Sequence, residues 1–297
     1  MQTDKTVYLL GYASGIAGSK EGSGEGPDVM QHSSCLLALK EQEIPYYWQT
    51  TIKRDTQNHS KLAIVTEACQ ALADEVIKLI QQEKFFTVIG GDHTSAIGTW
   101  SAASASKHDQ GPLGLIWIDA HMDSHTPETS ETGNLHGMPM ACLLGAGSSA
   151  LINMAGEFTK FRPEHVCLIG VRSFEQGEVE LLDKLNVRIF YMPEVKQRGL
   201  KAVLADAIKI ATHGTAGYGI SIDIDSMDPA DAPGTGVAEP DGLAAKELCQ
   251  VLTGLAQDER LIGAEIAEFN PRFDKNQMTE KLIAQLLAAI CAKKQTV

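Results

Sequence analysis

Cysteine is sparse in this chain of 297 residues: Cys35, Cys69, Cys142, Cys167, Cys249 and Cys291 are widely scattered, and no two begin a zinc knuckle. That scatter excludes a small disulfide-framed domain and fits reduced thiols. Positive charge is short as well, with Lys plus Arg at 25 against Asp plus Glu at 38 and a formal charge of -13. So acidic a chain offers no basic face to a polyanion, which argues against nucleic acid and anionic membrane as partners. Long apolar runs are missing too, since no segment approaches the ~18 residues that a membrane helix needs. The start, Met1 to Leu10, carries Asp4 and Lys5 before a short apolar run and lacks a basic leader or a small-residue cleavage site, so a cytoplasmic protein is expected. No Pro/Ser-rich linker, charge block or internal repeat divides the chain, and one domain over 1–297 is expected.

What is present is ordinary globular composition, 43% hydrophobic and 21% charged. Short β-rich apolar runs recur at 6–10, 44–48, 86–89, 115–118, 166–169, 187–191, 218–222 and 262–266. Between them lie helical patterns. The clearest spans 61–82, where Leu62, Val65, Ala68, Cys69, Leu72, Val76, Leu79 and Ile80 fall at steps of three and four. Others cover about 27–40, 199–211, 244–256 and 277–292. This alternation predicts an α/β protein: a single three-layer domain whose eight-stranded, mainly parallel sheet is flanked by helices. Functional groups should then sit where strands end and loops begin.

Polar clusters do follow the third, fourth, seventh and eighth runs. The fourth leads directly into Asp119-Ala-His121-Met-Asp123, where residues two apart on an extended chain would share a face. The seventh leads into Asp223-Ile-Asp225, and the third into Gly-Gly-Asp-His93. An Asp-x-Asp pair alone is better explained by a turn or helix cap. Three such motifs at strand ends of one sheet point to metal, because converging carboxylates are costly to leave unpaired. Asp119, Asp123, Asp223 and Asp225 bring about four negative charges, which two divalent cations would cancel. Oxygen-rich coordination with one imidazole per ion, from His93 and His121, suits manganese(II), with cobalt or iron also accepted. Water shared by two such ions would deprotonate near neutral pH and become a hydroxide nucleophile. His32, His59, His108, His165 and His213 lack such neighbours and read as surface or core residues.

These strings carry a resemblance. GGDHTS at 90–95, DAHMD at 119–123, GNLHGMP at 133–139, SIDIDSMDP at 221–229 and EFNP at 268–271 resemble the ureohydrolases, the arginase and agmatinase family, over nearly the whole chain. The resemblance implies the arginase/deacetylase-like fold. It also implies one manganese on His93, Asp119, Asp123 and Asp223, and another on Asp119, His121, Asp223 and Asp225. His93 and Asp123 argue against the zinc deacetylases of that fold, which need only an Asp-His-Asp set.

The implied reaction is hydrolysis of a guanidino group to urea and an amine, with L-arginine giving L-ornithine by attack of metal-bound hydroxide. His136, matching the family's proton-transfer histidine, Glu268, matching its guanidinium-holding carboxylate, and Asp123 are the catalytic candidates. The 125–134 loop is similar to the arginase loop that holds the amino-acid end of the substrate, which makes His125, Ser130, Thr132 and Asn134 binding candidates. Glu175, with Glu178 nearby, matches the position that meets the substrate ammonium. Departures stand within this pattern: His125 replaces the usual Asn, Thr132 the usual Ser, Glu175 the usual Asp and Val237 a Thr, and Asp241 adds a charge. They keep open an agmatinase or guanidinobutyrase activity, and a non-catalytic metal-binding member. The family also implies a homo-oligomer, a trimer or hexamer.

Overall fold

The computed structural model describes residues 6–54 and 59–292; Asp4 and Lys5 lie outside them. Among the described residues eight strands form one sheet: β1 (Val7–Tyr12), β2 (Tyr46–Ile52), β3 (Phe86–Gly90), β4 (Gly114–Ile118), β5 (Val166–Val171), β6 (Arg188–Tyr191), β7 (Tyr218–Asp223) and β8 (Leu261–Ala267). Their order is β2-β1-β3-β8-β7-β4-β5-β6. Every neighbouring pair is parallel, so the sheet expected to be mainly parallel is wholly so.

A parallel sheet needs cover on both faces, and its central strands therefore read as continuous apolar runs. In β4, Leu115 and Trp117 point into one core with the helices Lys61–Gln81 and Ser95–Lys107. Ile116 and Ile118 point into the other, with Leu200–Thr212, Ala245–Leu252 and Met278–Cys291. The 61–81 helix begins where Ser60 Oγ accepts the Ala63 N–H at 3.2 Å. The single helix expected over 27–40 is two, Gly26–His32 and Ser34–Glu41. Ser33 breaks it by taking an extended backbone, and its Oγ caps the second piece at Cys35 N, 3.0 Å away. Helices Ser95–Lys107, Gln176–Leu185 and Met192–Arg198 were not anticipated. Ser95 to Ser104 are all buried, so that stretch of the first has no face turned to solvent and gives no amphipathic signal. No helix among the described residues is long and apolar enough to cross a membrane.

The four strands followed by polar clusters are scattered in sequence but contiguous in space, as β3-β8-β7-β4 in the middle of the sheet. All being parallel, their C-terminal ends open on one edge, so the clusters meet there. Beneath that edge lies a buried polar layer. Glu265 of β8 is fully buried and accepts from Ser95 Oγ (2.6 Å), Thr99 Oγ1 (3.2 Å), Trp100 Nε1 (2.9 Å) and Ser221 Oγ (2.8 Å). Trp100 reaches it by lying across Gly219, where a Cβ would overlap the indole ring. Gly219→Ala should therefore cost about 1–3 kcal/mol by overpacking, read from the urea-unfolding midpoint. An unchanged midpoint would mean that the indole can move without loss.

Candidate functional site

β4 ends at Ile118, so Asp119, His121 and Asp123 lie in the loop beyond it, and strand alternation does not aim them. A turn does so instead. Asp119 Oδ1 accepts the His121 N–H at 2.7 Å, and its Oδ2 accepts the Trp117 indole N–H at 2.8 Å. Asp123 takes a left-handed backbone, φ 48°, and its carbonyl receives the Met140 N–H at 2.8 Å. Asp223 closes β7, and its Oδ1 accepts the Asp225 N–H at 2.8 Å, which fixes the following 3-10 turn Ile224–Ser226.

These turns bring the six ligand candidates into two groups that share Asp119: His93, Asp119, Asp123 and Asp223, and then Asp119, His121 and Asp225. Within each group the candidate ligand atoms lie within 4.8 Å of one another. Asp223, expected in both sets, falls only in the first. Among the described residues the Nδ1 of buried His93 has no hydrogen-bond partner, and it stands 3.0 Å from Asp123, 3.0 Å from Asp223 and 3.4 Å from Asp119. Its ring stacks on Trp117 at 4.1 Å, and its Nε2 meets Ser221 Oγ at 3.0 Å. His121 Nδ1 is 3.1 Å from Asp225 and 3.5 Å from Asp119.

The charges explain what such a site wants. Burial, then the charge of Asp119, pushes the Asp123 carboxyl up to about 7. Burial and neighbouring aspartates raise Asp223 well above the carboxylate range and raise Asp225 as well. Asp119 alone is lowered, because His121 and His93 outweigh its burial. Burial opposes charging of both imidazoles, yet the carboxylates around them hold both above the usual value. Without cations the site must hold protons to limit repulsion. An orphaned imidazole nitrogen among carboxylate oxygens is a donor set that fits divalent cations.

The groups open into a pocket of about 290 Å³ also lined by His125, Ser130, Thr132, Asn134, His136, Glu175, Glu178 and Glu268. Two loop hydroxyls accept backbone N–H groups, Ser130 Oγ from Gly133 at 3.0 Å and Thr132 Oγ1 from Asn134 at 3.2 Å, so each keeps a proton to donate. His125 bridges two segments, with Nδ1 3.2 Å from Thr129 Oγ1 and Nε2 3.3 Å from Glu175 and 3.6 Å from Glu178. Glu178 is buried and accepts the N–H groups of Ser124 (3.2 Å) and Glu175 (3.0 Å), which ties the loop to the 176–185 helix. Val237 lines the pocket; Asp241 does not, and pairs at the surface with Lys196 at 3.4 Å. Sequence reasoning missed Glu131, Phe174 and Glu239, which line the same pocket but belong to no strand-end motif. It also missed Glu265, whose only signal was a charge inside an apolar strand.

At the pocket floor Glu268, left-handed at φ 65°, accepts the His93 N–H at 2.9 Å and pairs through Oε1 with His136 Nδ1 at 3.0 Å. Burial disfavours both charges, but the attraction to Glu268 raises His136 to about 9, while His136 lowers Glu268. Folding thus favours the charged imidazole, and the resulting stabilisation is complete below the ordinary His value of 6.5 and is lost as pH rises through about 9. In metal-free protein, the stability gap between the unaltered chain and His136→Gln should shrink across that window, measured by denaturant unfolding. A gap that stays constant would contradict the ion pair.

Residues 5–292 match the Arginase family model. The arginase of Bacillus caldovelox is 34% identical over 299 aligned residues, covering 98% of this chain and 99% of that relative. The arginase of Bacillus subtilis (strain 168) is 33% identical over the same shares. A solved structure of the Bacillus caldovelox arginase has a TM-score of 0.90 to this fold at 32% identity, over 98% of this chain and 100% of that one. A match of such length, on a wholly parallel eight-stranded sheet with two metal-capable clusters at its C-terminal edge, means that this chain belongs to the arginase family of hydrolases, which act on guanidino C–N bonds.

Proposed function

We propose that the chain hydrolyses L-arginine to L-ornithine and urea at a pair of manganese(II) ions. The observation that supports this reading best is the shared Asp119, which puts two metal-capable groups side by side under one pocket. His93, Asp119, Asp123 and Asp223 would hold one ion, and Asp119, His121 and Asp225 the other, with Asp223 beside them. When bound, the cations neutralise the aspartates and lower the pKa of bound water, which supplies the nucleophile.

The chain's own groups do the rest. Glu268 would receive the substrate guanidinium through Oε2, since Oε1 is engaged by His93 N and His136. His136, held protonated by that contact, has Nε2 left to pass a proton to the departing amine. The free hydroxyl protons of Ser130 and Thr132, with Asn134, suit an α-carboxylate, and Glu175, 57% exposed, suits an α-ammonium. One observation favours a different substrate: His125 Nε2 is turned toward Glu175 and Glu178, not toward the hydroxyl turn. A guanidino compound without the carboxylate, such as agmatine, would not need it.

The test is urea release from L-arginine, agmatine and 4-guanidinobutyrate by metal-stripped protein with and without manganese(II). Manganese-dependent release from L-arginine above the other two is expected. Preference for agmatine would replace the arginase reading with the agmatinase one, and no release from any would favour the non-catalytic reading. In the same assay Thr132→Val should raise KM for L-arginine about 10-fold, the loss of one hydrogen bond to a charged group. Its kcat/KM for agmatine should not change; an equal loss on both substrates would remove the hydroxyl from carboxylate recognition.

A further inference from the structure

The two histidines of the metal-capable groups are supported differently. His93 turns Nδ1 toward its aspartates and Nε2 onto Ser221, which donates to the fully buried Glu265. His121 likewise turns Nδ1 toward Asp225 and Asp119, but its Nε2 faces Glu239 Oε1 at 3.6 Å on the pocket wall. Both residues are partly exposed there, 23% for His121 and 27% for Glu239.

The 239 segment is anchored to the site. Arg172 donates from one nitrogen, Nη2, to the carbonyls of Asp225 (2.7 Å) and Glu239 (2.8 Å), and from Nε to Pro240 O at 2.9 Å. One guanidinium therefore fixes the backbone of a metal-ligand candidate and of the carboxylate behind its neighbouring imidazole. A histidine that ligates through Nδ1 must carry its proton on Nε2, and a carboxylate there fixes ring orientation and tautomer and makes the imidazole a better donor. At 3.6 Å the contact is electrostatic and longer than a hydrogen bond. It strengthens when a cation at Nδ1 draws electron density from the ring and makes the Nε2 proton more positive.

Resting on the two-cation reading above, we infer that Glu239 is a positioning residue for His121 and sets the affinity of the ion held by Asp119, His121 and Asp225. It would act through the imidazole and not on the substrate. Because Glu239 also lines the pocket, a substrate-binding role is the rival explanation, and metal uptake separates the two.

The experiment titrates metal-stripped protein with manganese(II), by calorimetry and by the paramagnetic resonance signal of the ions, for the unaltered chain, Glu239→Ala, Glu239→Gln and Asp241→Ala. The unaltered chain should take up two ions. Glu239→Ala should weaken one of them about 10- to 100-fold and leave the other unchanged. Glu239→Gln, which keeps an acceptor oxygen, should recover part of the loss. Asp241, on the same segment but 84% exposed and paired with Lys196, should be silent. Unchanged metal affinity in Glu239→Ala would overturn the inference, most plainly if KM alone rose. Equal weakening of both ions, or an equal effect of Asp241→Ala, would overturn it as well. Uptake of fewer than two ions by the unaltered chain would overturn the two-cation reading and this inference together.

Discussion

Four aspartates crowded at the nearly dry edge of a sheet repel one another, and the surrounding structure answers that repulsion. Two like charges at 4 Å interact by about 4 kcal/mol in a medium of intermediate dielectric, more than most single contacts return. The chain offsets part of the cost by supplying donors to three of the four carboxylates. Asp119 receives the Trp117 indole and a backbone N–H, Asp223 receives Asp225 N–H, and Asp225 receives Ala120 N–H at 3.3 Å. These donors orient the carboxylates but bring no net charge. The remaining demand is for cations, and the unpartnered nitrogen of His93 faces the place where that demand is greatest.

Those same donors couple the site to the fold. Trp117 holds Asp119 with its indole nitrogen and His93 with its face. Glu265 reaches His93 through Ser221 and, through Trp100, the 95–107 helix. A carboxylate far from solvent thereby fixes the imidazole tautomer at the surface of the sheet. On the substrate side, His125 and Glu178 bind the 124–130 loop to the start of the 176–185 helix. The pocket wall is then a cross-linked surface, on which hydroxyl protons can be aimed.

Much of this was legible in the sequence, for identifiable reasons. Strands buried on both faces read as continuous apolar runs, and all eight were found within a few residues. The metal-ligand candidates were legible because three Asp/His motifs end strands of one sheet, where a turn or cap accounts for one such motif but not for all of them together. Strand order, by contrast, could not be read from local pattern, although it is what makes four scattered motifs adjacent. The loop geometry was misread: Asp123 reaches its group through a left-handed turn and not through an extended strand. The 95–107 helix escaped because burial on every side erases periodicity, and Glu239 escaped because long-range contacts, the grip of Arg172 among them, bring its segment to the site.

Two divalent cations sharing Asp119 at this edge of the sheet are what the proposed chemistry depends on. Crystals grown with manganese(II) and measured for anomalous scattering test it most directly. Two peaks per chain are expected, one beside His93 Nδ1 and one beside His121 Nδ1, with Asp119 touching both. A single peak, or two peaks that do not share Asp119, would contradict it.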